Sequence, residues 1–167
     1  MMSNHSPNVP SKRRDKLIKQ RHLDTYKSNQ KLSEPTLCPI CGAVFSGGRW
    51  QWFEKLPEAA AEVRCPACQR IHDRIPAGYL TLGGAFFTEH REEIMHLVQN
   101  HVEKQRTQHP LQRIMDVKGL DSGGVEITFT EFHLPKGVGE AVKSAYQGEL
   151  HIHYPEESGQ ERVAWER

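Results

Sequence analysis

The sequence predicts an α+β protein in which a small cysteine-stapled ribbon precedes a two-layer, ferredoxin-like (split βαβ) domain, behind a disordered basic N-terminal arm. Three observations predict it. All four cysteines fall in two C-x₂-C pairs, Cys38/Cys41 and Cys65/Cys68. Helical and strand periodicities alternate after residue 73. Basic charge is concentrated at the start of the chain: residues 1–31 hold eight Lys/Arg against Asp15 and Asp24, whereas the remainder holds fourteen basic and nineteen acidic residues. The expected organisation is therefore a basic arm over 1–36, a ribbon over 37–72 and an α+β domain over 73–167.

The arm comes first. Leu17, Ile18, Leu23 and Tyr26 do not form an apolar stripe wide enough to anchor a helix, so this segment is expected to be disordered when free. Its cations Lys12, Arg13, Arg14, Lys16, Lys19 and Arg21 form the candidate nucleic-acid-binding set. Lysines and arginines on a flexible arm gain affinity by releasing phosphate counterions, which needs no fixed fold and reads no base sequence. An arm that only keeps the chain soluble is the plain alternative.

In the ribbon, each C-x₂-C turn aims two thiolates at one ion, and Gly42 permits the tight turn after Cys41. Twenty-three residues separate the pairs, a hairpin-sized excursion. Cys38, Cys41, Cys65 and Cys68 are thus read as one structural Zn²⁺ site. Redox pairs would each need a following helix to lower the thiol pKa, and both pairs stand among prolines, glycines and polar residues. Disulfides need an oxidising compartment, and Met-Met-Ser-Asn-His-Ser-Pro has no apolar run of a signal peptide, so a cytoplasmic location and reduced thiols are expected. Catalytic zinc keeps an open position that four cysteines close. His72 is a surface histidine or a substitute ligand, and the complete cysteine set favours the former. Arg49, Arg64 and Arg70 are positioned in sequence to offset the thiolate charge. Trp50, Trp52 and Phe53 read as a satellite core or a docking surface toward the next domain.

Beyond the ribbon, Arg74–Leu82 is expected to supply a strand. Thr88 reads as an N-cap, with Glu89, Glu92 and Glu93 in the first turns and Ile94, Leu97, Val98 and Val102 along one helical face before Pro110. A hairpin follows, with arms Gln112–Lys118 and Val125–Thr130 around Asp121-Ser122-Gly123-Gly124. Val138, Ala141, Val142, Ala145 and Tyr146 mark a second helix with Gly148 at its C-terminal cap. Leu150, Ile152 and Tyr154, then Val163 and Trp165, close the sheet. The sheet face opposite the helices would show Glu126, Thr128, Thr130, His151 and His153, which is not a base-stacking signature.

Several runs carry a resemblance: Arg64-Cys65-Pro66-Ala67-Cys68-Gln69-Arg70, Arg74-Ile75-Pro76-Ala77-Gly78, Leu82-Gly83-Gly84-Ala85-Phe86, Glu92-Glu93-Ile94, Pro110-Leu111-Gln112-Arg113-Ile114-Met115, Val125–Thr130 and Ala145–Leu150. Together they resemble the N-terminal zinc-ribbon region of the nonsense-mediated decay protein three family, as a short prokaryotic relative. That family's members are zinc-bearing adaptors of the large ribosomal subunit. They carry further cysteine pairs, so the resemblance implies the ribbon and a preference for ribosomal RNA or protein, and not nuclear export.

Function is therefore expected to be non-catalytic RNA or ribosome binding through arm and ribbon, with a zinc-dependent protein-interaction module as the alternative. No enzyme motif of the GxSxG, HExxH, P-loop or GxGxxG type is present. His151 and His153 on one strand face, with His90, His101 and His133, are the residues an enzyme reading would use. Gly83-Gly84 and Gly137-x-Gly139 read as turn and helix-start glycines. No membrane partner and no small-molecule substrate are expected, the longest apolar stretch, Ala77–Phe87, being about half of a bilayer span.

Overall fold

The computed structural model describes Tyr26, residues 31–154 and residues 160–167. Lys12, Arg13, Arg14, Lys16, Lys19 and Arg21 lie outside the described residues. Two sheets organise the chain. The first, of order β3-β2-β1-β4, comprises β1 (Thr36–Leu37), β2 (Val44–Ser46), β3 (Arg49–Gln51) and β4 (Ala61–Glu62). β1 is parallel to β4, and the other pairs are antiparallel. The last residues of the segment expected to be arm belong to the first sheet: Thr36 is buried, and the Glu34 carboxylate accepts from the Gly47 and Gly48 N–H groups at the β2–β3 turn.

Helix α1 (Pro66–Asp73) then leads to β5 (Gly78–Gly83), α2 (Ala85–Glu89), α3 (Arg91–Arg106), β6 (Ile114–Gly119), β7 (Val125–Phe129), α4 (Leu134–Tyr146), β8 (Glu149–His153) and β9 (Glu161–Glu166). The second sheet has the order β6-β7-β5-β9-β8. β5 and β7 are antiparallel, so the β5–helix–β6 unit is split by β7. β9 runs parallel to β5 and sits between it and β8. Both sheets are thus mixed, and the fold is α+β.

Alternation decides the two faces of the larger sheet. Leu80, Leu82, Val125, Ile127, Phe129, Val163 and Trp165 are buried under the helices, joined by Phe87, Ile94, Val98, Val102, Val138 and Val142. Each such side chain contributes about 1.5–3 kcal/mol on burial. The other face, which no helix among the described residues covers, carries Tyr79, Thr81, Glu126, Thr128, His151, His153 and Arg162 on alternate positions. Thr130, expected on that face, is instead buried.

Several boundaries differ from expectation. Thr88 lies inside α2, its hydroxyl donating back to the Gly84 carbonyl, and His90 starts α3. α1 was not expected, because its eight residues open on a proline; Pro66 fits the first turn, where its missing N–H has no intrahelical partner to lose. The α4 stripe runs through Leu134, Val138 and Val142, and Ala145 is exposed. Gly139 is interior to α4 rather than at its start. A Cβ there would stand 2.9 Å from Leu150 Cδ1, so glycine lets the helix approach the sheet. Among the described residues no helix is long and apolar enough to cross a membrane.

Candidate metal centre

The four cysteines converge from two elements. Cys38 follows β1 and opens a turn whose Gly42 N–H donates to the Cys38 carbonyl at 3.0 Å, with Gly42 at φ 81°. Glycine tolerates that left-handed backbone, and the turn brings Cys41 alongside Cys38. Cys65 is the N-cap of α1: its sulfur accepts from the Cys68 N–H at 3.4 Å, and its own N–H donates to the Cys38 sulfur at 3.3 Å. Cys38, Cys65 and Cys68 are buried and Cys41 is half-buried.

The donor set fits one ion. A tetrahedral metal with bonds to sulfur of about 2.3 Å holds its sulfurs about 3.8 Å apart. Cys41 Sγ and Cys65 Sγ are 3.7 Å apart, and all four sulfurs lie within 4.8 Å of one another. Among the described residues this is the one group of three or more His, Cys, Asp or Glu side chains close enough to share a metal. His72 is outside it, paired with Asp73 and mostly exposed. The second pair does open a helix, contrary to the local argument used against redox pairs; what speaks against a free dithiol here is that both pairs face one another.

Arg113 completes the site. Its Nη1 donates to Cys68 Sγ at 3.2 Å and its Nη2 to Cys65 Sγ at 3.3 Å, while Nε donates to the Pro110 carbonyl at 2.9 Å. The backbone is fixed too, because the Arg113 N–H donates to Thr130 Oγ1 and the Thr130 N–H to the Arg113 carbonyl. Thr130 is the residue after β7, so the larger sheet itself aims this guanidinium at the sulfurs. Sequence proximity pointed elsewhere. Arg64 donates to Gln69 Oε1, and Arg70 donates to the Ile75 carbonyl and lies over Phe132. Arg113 stands 45 residues beyond Cys68, and no local pattern marks it.

Crowded thiols compete to ionise. The hydrogen bond from Cys65 holds Cys41 at about 4, against the opposing effect of burial. The same contact, then burial, pushes Cys65 upward, and burial raises Cys68 despite the hydrogen bond from Arg113. Burial works to lower Arg113, yet Cys68 and the neighbouring sulfur charges outweigh it and hold its proton more firmly than usual. Such a cluster suits a cation that takes all four sulfurs as thiolates, and Arg113 offsets part of the resulting negative charge.

The metal unit is fastened to the larger sheet at further points. Trp52 Nε1 donates to the Arg106 carbonyl at 2.7 Å, at the end of α3. Trp50 and Leu111 pack on the cysteine cluster, so of the three expected aromatics Trp50 serves the small core and Trp52 the docking, while Phe53 remains exposed. No family model, curated protein or solved structure matches this chain.

Proposed function

We propose that the chain is a non-catalytic zinc protein that binds RNA of the large ribosomal subunit through its basic arm and metal unit. In this reading the ion is one Zn²⁺ held by Cys38, Cys41, Cys65 and Cys68, and the first sheet with its two C-x₂-C pairs is a zinc ribbon. The second sheet is a ferredoxin-like unit with β9 inserted between β5 and β8. The chain would then be a short prokaryotic relative of the nonsense-mediated decay protein three family.

The observation that carries the reading is the closed sulfur set, four thiols around one point with Arg113 donating to two of them. Four thiolates fill a tetrahedral ion and leave no position for water or substrate, so the ion's contribution is rigidity. The charge asymmetry supports the partner: eight of the 22 Lys/Arg fall in the first 31 residues. If about six of these meet phosphates, log affinity falls against log salt with a slope of about −4 to −5.

Recovery of the tagged full chain from native lysate, with and without nuclease, tests this reading. RNA-dependent recovery of large-subunit components is expected, together with one zinc per chain by native mass spectrometry. Recovery of the same partners after complete nuclease digestion would replace it with the protein-docking alternative.

A further inference from the structure

The first sheet carries a feature that the metal does not explain. A cleft of about 500 Å³ opens beside β2, β3 and the start of α1, within the size range of compact ligand sites. Phe45, Trp50, Tyr26, Leu32 and Leu111 contribute to its apolar lining, and among the described residues Arg49 and Arg64 are its charged side chains. Phe45 and Trp50 are cross-strand partners whose rings meet edge to face, with centroids 5.6 Å apart. Both rings are half-buried; Arg49 is exposed and Arg64 half-buried.

We propose that this cleft takes one unstacked base of single-stranded RNA, with its flanking phosphates met by Arg49 and Arg64. The inference rests on the RNA-binding reading and names the place where a base is held. Charge complementarity argues for that occupant. Among the described residues no Asp or Glu lines the cleft, although residues 32–167 hold nineteen acids against fourteen bases; Asp73, at its border, accepts from Tyr26 and Gln69. Glu34, the carboxylate at the β2–β3 turn, is engaged by two backbone N–H groups. A nucleotide presents what this lining complements, an uncharged π face joined to a phosphate on either side.

Chain order supports the same occupant. Tyr26 and Leu32 lie in the cleft; Lys12, Arg13, Arg14, Lys16, Lys19 and Arg21 precede Tyr26 in sequence, and Lys27 and Lys31 fall between the two. An RNA strand followed by the arm would arrive at this lining.

The test uses the full-length, zinc-loaded chain and fluorescence anisotropy with two probes, a labelled dodecauridylate and the same length of abasic ribose phosphate. Base stacking predicts tighter binding of the uridylate by about 5- to 100-fold. Phe45→Leu is expected to erase that preference while leaving abasic affinity unchanged. Arg49→Ala with Arg64→Ala is expected to weaken both probes and reduce the salt slope by about 1.4. Zinc content checks each variant's fold. Independently of any variant, 5-iodouridine in the wild-type complex should cross-link to Tyr26, Phe45 or Trp50. Equal affinity for the two probes, or cross-links confined to other residues, overturns the cleft and leaves arm-driven RNA binding standing. Failure of the chain to bind either probe or ribosomal RNA overturns both.

Discussion

The four-stranded and five-stranded sheets solve the burial problem by different means. The larger sheet and its helices bury fourteen hydrophobic side chains in one cluster. The smaller has strands of two or three residues, and its central cluster consists of Cys38, Cys65, Cys68 and Ala67, flanked by Cys41, Trp50 and Leu111. Sulfur takes the place that Leu and Phe hold next door. A unit of that composition depends on what the thiols bind, whereas its neighbour depends on shape and area.

Metal removal should break this comparison most sharply. Structural zinc sites release about 10–16 kcal/mol on binding, which is also folding energy. Chelation, or Cys38→Ser, is expected to abolish hydrogen-exchange protection across 36–73 while 78–83, 125–129 and 161–166 stay protected. Equal loss in both sheets would mean that they form a single cooperative unit.

Arg113 offers a finer cut, because it belongs to one region and serves the other. Arg113→Gln removes two charge-assisted bonds to sulfur. Metal affinity is expected to fall about 10- to 100-fold in competition with a chromophoric chelator. Arg113→Lys should recover part of it, since the charge returns without the fork.

The smallest effect belongs to the larger sheet alone. Glu161, 5% exposed in its side chain, accepts from the Lys136 N–H in the first turn of α4. Burial raises its pKa against that bond and against the charges of His133 and Lys136. The folded chain therefore keeps this proton to higher pH than the unfolded chain. Its contribution to stability is greatest below the ordinary carboxylate range and is lost as pH rises through the folded value. Glu161→Gln is expected to flatten that pH dependence in denaturant titrations between pH 4 and 7, and to stabilise the chain at neutral pH by about 1 kcal/mol or less.

What the sequence revealed follows the same division. Ile94, Val98 and Val102, and the alternation of Val125, Ile127 and Phe129, are legible because a wide apolar face leaves a periodic trace. The cysteine pairs are legible because a tetrahedral ion fixes their spacing. β1 and β4 are too short to leave a period, and α1 is hidden by the proline that opens it. The position of β9 between β5 and β8 leaves no local mark, because strand order is settled by pairing partners distant in sequence. Arg113 was illegible for that reason too: its role depends on Thr130, seventeen residues away, and on sulfurs still more distant.

The interior placement of β9 bears on how this chain emerges during synthesis. The four cysteines, Trp50 and Leu111 are all available once residue 111 has left the exit tunnel, so the small unit can close early, with Arg113 fixed when Thr130 follows. The larger sheet stays divided until residues 161–166 arrive to fill the gap between β5 and β8, and the earlier unit must wait beside unpaired strand edges.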